Sequence, residues 1–313
     1  MNENIISLVG NIEKVILGKR SVIVKIVSAM LCGGHVLIED VPGVGKTKLV
    51  AALAKSLNGK FNRIQFTPDI MPTDITGFTM IDPTTKEFVF RNGMAMCNFL
   101  LADEINRASP KVQSALLEVM EEKQVSIDGK THKLPRPFMT FATQNPIENF
   151  GTYHLPEAQM DRFAIKISMG YLEPADEVKL LDNIDNQVDL HSIQPIFSIE
   201  DVLNLQAQAQ KTSVHPLIKE YIISIITATR NNENVKLGAS PRGSIDLFNL
   251  SKSVAFIMGR SFVTPDDVLL SAPMTLPHRI ILSPKGKGTY QTSENFVKEI
   301  MKATPIPNVD GLN

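Results

Sequence analysis

The chain has no tryptophan, two cysteines, 6% aromatic residues and almost no net charge, with 32 Lys plus Arg against 33 Asp plus Glu. Each shortage excludes something. Two cysteines cannot build a disulfide framework, and Cys32 and Cys97 sit among apolar neighbours, where a thiol behaves as a small core residue. The balanced charge calls for no polyanionic partner, so nucleic-acid binding is not expected. The longest stretch free of Asp, Glu, Lys and Arg runs from Ile26 to Ile38, short of the roughly 20 residues of a spanning helix. Met1 to Gly10 lacks the basic start and apolar block of a secretory signal. No membrane insertion is expected, and the cytoplasm is the expected location. No fixed-period repeat is present, and His35, His132, His191, His215 and His278 show no metal-ligand spacing.

What is present is a chain of 313 residues, 43% of them hydrophobic. At about 150 residues per domain this suggests two domains. Apolar blocks alternate with turn signals in the first half. His35–Glu39 reads as a strand, followed by a Gly-rich turn and by Lys48–Leu57, where Leu49, Leu53 and Leu57 recur with helical spacing. Further strands are expected at Arg63–Phe66, Cys97–Ala102, Phe138–Thr143 and Ala164–Ser168. Met80–Gly93 reads as an inserted hairpin, and Val125–Leu134 as a second one around Asp128-Gly129. Ser109-Pro110 marks a helix start, the hydroxyl capping free amides, with Val112, Leu116, Val119 and Met120 on the buried face. After Pro174 strand signals fade, helical patterns run to about Lys302, and 303–313 read as a loose tail.

Pro42-Gly43-Val44-Gly45-Lys46-Thr47 lies between the first strand and the first clear helix. Glycines let backbone amides approach phosphates without a Cβ clash, Lys46 supplies a point charge, Thr47 a hydroxyl for Mg²⁺, and the helix its positive end. Lys48 continues the phosphate-facing turn. Asp40 stands where the full G-x-x-x-x-G-K-[ST] pattern has its first glycine. Two acids, Asp103 and Glu104, end the buried strand Leu100-Leu101-Ala102. Downstream of a phosphate loop they suit metal holding and water polarisation respectively. The N-K-x-D guanine-reading motif is absent, which favours ATP over GTP.

These motifs, together with Arg63–Asp69, Pro72–Gly77, Leu101–Ala108, Ala142–Pro146 and Pro156–Phe163 in order, resemble the MoxR family of AAA+ ATPases over nearly the whole chain. The resemblance implies an AAA+ P-loop NTPase fold of α/β class: a parallel sheet flanked by helices with hairpin inserts, spanning 1–171, and an all-helical lid, spanning 172–313. It implies that Asn145 is sensor 1, Arg162 an arginine finger reaching a neighbouring subunit, and Arg242, in the Leu237–Gly243 segment, the sensor 2 residue. Local chemistry agrees for Arg242, since Ser240 can cap a helix that Pro241 opens. Val15, Ile16, Leu17 and Gly18 resemble the segment that packs on adenine, and Gln65 stands where a polar switch can hold Glu104. The departures are Asp40, His154 and Met160, and His154 is assigned no role.

The expected cofactors are ATP and Mg²⁺, held by Thr47 and Asp103. The expected activity is ATP hydrolysis in a homo-oligomeric ring, a hexamer, that drives maturation, assembly or metal insertion of client proteins, with a von Willebrand factor A domain protein as partner. A nucleotide-gated regulatory binding module with little turnover, and a nucleic-acid motor, are the alternatives.

Overall fold

The computed structural model describes residues 1–145, 153–186 and 188–308. Pro146, Gly151 and Thr152 of the sequence motifs and residues 309–313 of the tail lie outside the described residues. Two helices open the chain, α1 (Glu3–Glu13) and α2 (Arg20–Leu31), before strand β1 (Val36–Glu39) and helix α3 (Lys46–Ser56). Then come β2 (Phe61–Gln65), the short α4 (Pro72–Thr76), the hairpin strands β3 (Gly77–Ile81) and β4 (Phe88–Asn92), and β5 (Phe99–Asp103). Helix α5 (Pro110–Glu122) leads to a second hairpin, β6 (Gln124–Ile127) and β7 (Lys130–Lys133), and then to β8 (Met139–Gln144), α6 (Glu157–Met160) and β9 (Ile165–Ile167).

β2, β5, β8, β1 and β9 form one sheet in that order, and every pairing is parallel. The inner strands β5, β8 and β1 are buried residue after residue, as strands covered on both faces must be. Alternation divides them: Val36 and Ile38 of β1 face a core built with α1, α2 and α3, and Leu37 faces a second core built with α5. The stripe Leu49, Leu53 and Leu57 is buried against the first core. Val112, Leu116, Val119 and Met120 of α5 are buried in the second. That helix starts at Pro110, but Ser109 caps it without its hydroxyl; the Ser109 carbonyl meets the amides of Val112 and Gln113 instead.

Both inserted hairpins are present. The second turns at Asp128 and Gly129, both at positive φ (51° and 74°), the backbone a tight hairpin of this kind requires. The two hairpins meet where Phe90 stacks on His132, ring centroids 3.8 Å apart.

Beyond Tyr171 lie α7 (Pro174–Asp185), α8 (Ile199–Gln210), α9 (Pro216–Arg230), α10 (Pro241–Ile257), α11 (Pro265–Thr275), α12 (Pro284–Tyr290) and α13 (Ser293–Ala303). The expectation of helices alone needs one correction. Val235–Leu237 (β10) and Ile281–Leu282 (β11) pair antiparallel, a ladder too short to leave a readable period. The helices α9, α10, α11 and α13 enclose a third core around Tyr221, Leu247, Val268 and Phe296. The first core also reaches across Tyr171, taking in Val202 of α8, Leu250 of α10 and Met274 of α11. Among the described residues no helix is long and apolar enough to cross a membrane.

Candidate functional site

In a parallel sheet, ligands collect at the carboxyl ends of the strands. Here Asp40 follows β1, Asp103 ends β5 with Glu104 next to it, and Gln144 ends β8 with Asn145 next to it, all at one end of the parallel sheet. The loop after β1 carries Gly43 (φ 85°) and Gly45 (φ 90°), and Gly45 is the residue before α3. Nothing lies within 4 Å of where a Cβ would stand on either. The space above the loop is open, and the backbone alone dictates glycine.

A cleft of about 400 Å³ is lined by Gly43, Gly45, Lys46, Thr47, Lys48, Arg63, Gln65, Asp103, Glu104, Thr143 and Asn145. The structure therefore brings together the loop, both acids and Asn145. Burial pulls the Lys46 ammonium below its ordinary range against the opposing pull of Asp40, Asp103 and Glu104, and its Nζ donates to the Asp40 carbonyl at 2.8 Å. Asp103 Oδ1 accepts from Thr143 Oγ1 at 2.6 Å, and Asp103 Oδ2 pairs with Arg63 Nη2 at 2.6 Å. Glu104 stands at φ 59°, ψ 48°, a left-handed conformation that costs about 1–3 kcal/mol for a residue with a Cβ. Its amide donates to Thr143 Oγ1 at 2.9 Å, and its carboxylate pairs with Arg107 Nε at 2.9 Å. Gln65 Oε1 accepts from Arg63 Nη2 at 3.5 Å, beside the Arg63–Asp103 pair.

The donor set suits a hard cation bound with a triphosphate. A hydroxyl and a carboxylate face one cleft, and such cations take oxygen ligands while leaving positions for phosphate and water. Among the described residues no group of three or more His, Cys, Asp and Glu forms a closed metal cage.

A second cavity adjoins the first, lined by Val15, Ile16, Leu17, Lys19, Pro42, Val44, Lys48, Met169, Gly170, Tyr171, Leu172, Glu177 and Leu180. Val15, Ile16 and Leu17 thus form one wall of this mainly apolar cavity. Gly18 is not on the wall. It turns the chain at φ 64°, where a Cβ would lie 2.3 Å from Asp176 Oδ2 of α7.

Arg162 and Arg242 are not in either cavity. Both reach Glu121 Oε2 at the end of α5, Arg242 Nη1 at 2.6 Å and Arg162 Nε at 3.6 Å. The helix start behind Arg242 forms as its sequence suggests: Ser240 Oγ accepts from the Gly243 amide at 3.3 Å, and Pro241 occupies the first turn. Holding the two arginines together is Arg279, whose side chain is 1% exposed. Arg279 pairs with Asp161 at 2.8 Å and with Asp246 of α10, and donates to the carbonyls of Asp161 and Phe163 at 3.0 and 2.9 Å. Glu121 and Arg279 carry no sequence signal for the site, whereas Arg63 and Thr143 fall inside motifs that carry the resemblance, Arg63 sharing a face of β2 with Gln65 two residues on, yet neither was expected to set the acids.

The matches with known proteins follow this architecture. Residues 35–165 match the family described as ATPase family associated with various cellular activities (AAA), and residues 227–300 match the AAA lid domain. Chaperone MoxR1 of Mycobacterium tuberculosis is 40% identical over 96% of this chain and 82% of its own length. The Bacillus subtilis protein YeaC is 48% identical over 96% of this chain and 93% of its own. The chain belongs to the MoxR family of AAA+ ATPases. A crystal structure from Cytophaga hutchinsonii agrees, superposing with a TM-score of 0.91 at 37% identity, over 97% of this chain and 96% of that one. In this MoxR chain the lid match begins within α9, after α3 and α7, which line the second cavity.

Proposed function

We propose that this MoxR-family protein binds ATP with Mg²⁺, hydrolyses it, and uses the cycle in a homo-oligomeric ring to remodel client proteins. The observation that carries the proposal is the meeting of Gly43, Gly45, Lys46 and Thr47 with Asp103, Glu104 and Asn145 in one cleft, beside a mainly apolar cavity of a size for a base. Amides of the loop and the start of α3 would receive the phosphates, and Lys46 would move from the Asp40 carbonyl to the β- and γ-oxygens. Thr47 and Asp103 would hold the metal, which supplies charge neutralisation between those phosphates. Glu104 would orient and polarise the attacking water, with Asn145 fixing its position. Thr143 sets both acids, donating to one and accepting from the backbone of the other. Arg162 and Arg242, sharing one carboxylate at the surface, would serve the phosphates of the next subunit.

In this reading residues 1–171 are the ATPase unit and 172–313 the lid. The cytoplasmic location, hexameric ring, von Willebrand factor A domain partner and role in client maturation or metal insertion belong to the same proposal. They rest on the family resemblance and on a relative named as a chaperone. The test is a pair of variants: Glu104→Gln should bind ATP and lose turnover, whereas Lys46→Ala should lose binding. Normal steady-state hydrolysis by Glu104→Gln would refute the assignment. A second reading, a nucleotide-gated binding module with little turnover, is favoured by one observation: Asp103 and Glu104 are each paired with an arginine, Arg63 and Arg107. Wild-type turnover at background level in every oligomeric state would select it.

A further inference from the structure

Asp40 departs from the glycine of the full phosphate-loop pattern, and it is 7% exposed. Its carboxylate is not spent on the loop alone. Oδ1 accepts from the Val41 amide at 2.9 Å, while Oδ2 accepts from Ser168 Oγ at 3.1 Å, the Met169 amide at 2.5 Å and the Gly170 amide at 2.8 Å. Burial works against the charged form, yet these hydrogen bonds hold the carboxyl below its ordinary range. Lys19, 8% exposed, meets the same linker, and its Nζ donates to the carbonyls of Met169 and Tyr171, both at 2.7 Å. An anion therefore takes the linker's N–H groups and a cation its C=O groups. Lys19 follows directly on the Val15–Gly18 segment, and Asp40 opens the phosphate loop. Met169, Gly170, Tyr171 and Leu172 line the base cavity and run into α7, whose Glu177 and Leu180 line it too.

We propose that Asp40 and Lys19 are positioning residues that clamp the 168–171 linker between them, so that the wall of the base cavity is built in register with the phosphate loop. The clamp rests on the nucleotide-binding reading above and adds to it. It makes the nucleoside end of the ligand, and not its phosphates, the part whose affinity these two charges set. It also makes Asp40 more than a tolerated substitute for glycine.

The probes are ATP and inorganic tripolyphosphate, titrated by calorimetry into wild type, Asp40→Asn, Lys19→Met and Ser168→Ala. Hydrogen bonds to charged groups predict that Asp40→Asn and Lys19→Met each weaken ATP by about ten-fold or more, and that Ser168→Ala weakens it about three-fold. Tripolyphosphate should stay within about two-fold of wild type in all three. The double variant Asp40→Asn, Lys19→Met should weaken ATP less than the product of the single effects, because both act through one linker. Equal losses for ATP and tripolyphosphate, or unchanged ATP affinity, would overturn the clamp. Hydrogen exchange supplies a readout without ligand: the Met169 and Gly170 amides should exchange about ten-fold faster in Asp40→Asn than in wild type, and unchanged protection overturns the clamp whatever the titrations show. A wild type with protected linker amides that binds neither ligand would refute the nucleotide reading and, with it, the clamp's role in affinity.

Discussion

Thr143 does two jobs with one hydroxyl, donating to Asp103 Oδ1 and accepting from the Glu104 amide, at a position 1% exposed. Valine has nearly its shape and neither function, so Thr143→Val leaves the half-buried amide of the strained Glu104 unpaired. The expected outcome is a stability loss of about 1–3 kcal/mol. Turnover should drop by about ten-fold or more while the Kd for ATP changes little, since the acids lose their setting and the phosphate loop keeps its own. An unchanged kcat with the same stability loss would make Thr143 structural only. His35 gives a second residue-scale test. Its Nδ1 accepts from the Thr140 amide at 3.0 Å, and its Nε2 faces the Met120 carbonyl at 3.2 Å. Burial pushes its pKa from 6.5 down to about 4. Below pH 6.5 the unfolded chain takes a proton that the folded chain refuses until about pH 4. The stability owed to neutral His35 is thus complete above pH 6.5 and falls as the pH drops through that window, by up to about 3 kcal/mol. Urea midpoints across this range should slope downward with acid, and His35→Gln should flatten the slope. His278, half-buried and likewise pushed down by desolvation, leaves a residual slope. The cysteines behave as their neighbours suggest, burial pushing both thiols up to about 12.

Elements differ in what their sequence patterns reveal. α3 was legible because its apolar residues recur every fourth position and its start is fixed by Gly45. The strands β5 and β8 were legible because unbroken apolar runs of that length need two covered faces. α7 is legible as a helix yet contributes no buried residue: Val178, Leu181 and Ile184 are all exposed. The contrast is measurable. Leu53→Ala on α3, at a site 1% exposed, should cost about 2–5 kcal/mol, and Leu181→Ala on α7 less than about 0.5 kcal/mol, by urea denaturation. A comparable cost at Leu181 would mean that α7 packs more tightly than its exposure indicates. The partners of the site residues were not legible, and the reason is topological. Arg63 meets Asp103 because β2 pairs with β5 in register, Gln65 opposite Asp103, across an intervening helix and hairpin. Asp40 meets Ser168, Met169 and Gly170 because β9 lies beside β1. No local period encodes which strands become neighbours. The β10–β11 ladder was missed for the opposite reason, being too short to carry any pattern.

At the scale of the molecule, the ends of the sheet strands and the helices beyond Tyr171 are joined by a few ionic nodes. Lys166 on β9 bridges Glu39 of β1 at 3.0 Å and Glu294 of α13 at 2.9 Å, and their attraction outweighs burial to raise its pKa. Arg279 does the same between the Asp161–Ala164 segment and α10. The consequence of the second node is that Arg162 and Arg242, far apart in sequence, share Glu121 at the surface while both cavities lie elsewhere. Two guanidiniums share one carboxylate there while Arg279 is shared by Asp161 and Asp246, and in the proposed ring a neighbouring subunit's phosphate would compete with Glu121 for Arg162 and Arg242. This separates action on a subunit's own site from action on its neighbour's. Glu104→Gln keeps both arginines and spoils its own cleft, while Arg162→Ala keeps its cleft and spoils the patch. Arg162→Ala alone should lose about 10³–10⁵ in rate, the range found for fingers supplied by a second molecule, and Glu104→Gln alone should lose turnover. Mixed in equal amounts under conditions that form the ring, they should regain hydrolysis well above either alone, because some Arg162→Ala clefts then face a Glu104→Gln neighbour with its arginines intact. Arg242→Ala should behave the same way in place of Arg162→Ala. Silence in mixtures shown by size to form joint assemblies would confine the arginines to their own subunit, and would require the Glu121 contact to break within the molecule before they could reach a phosphate.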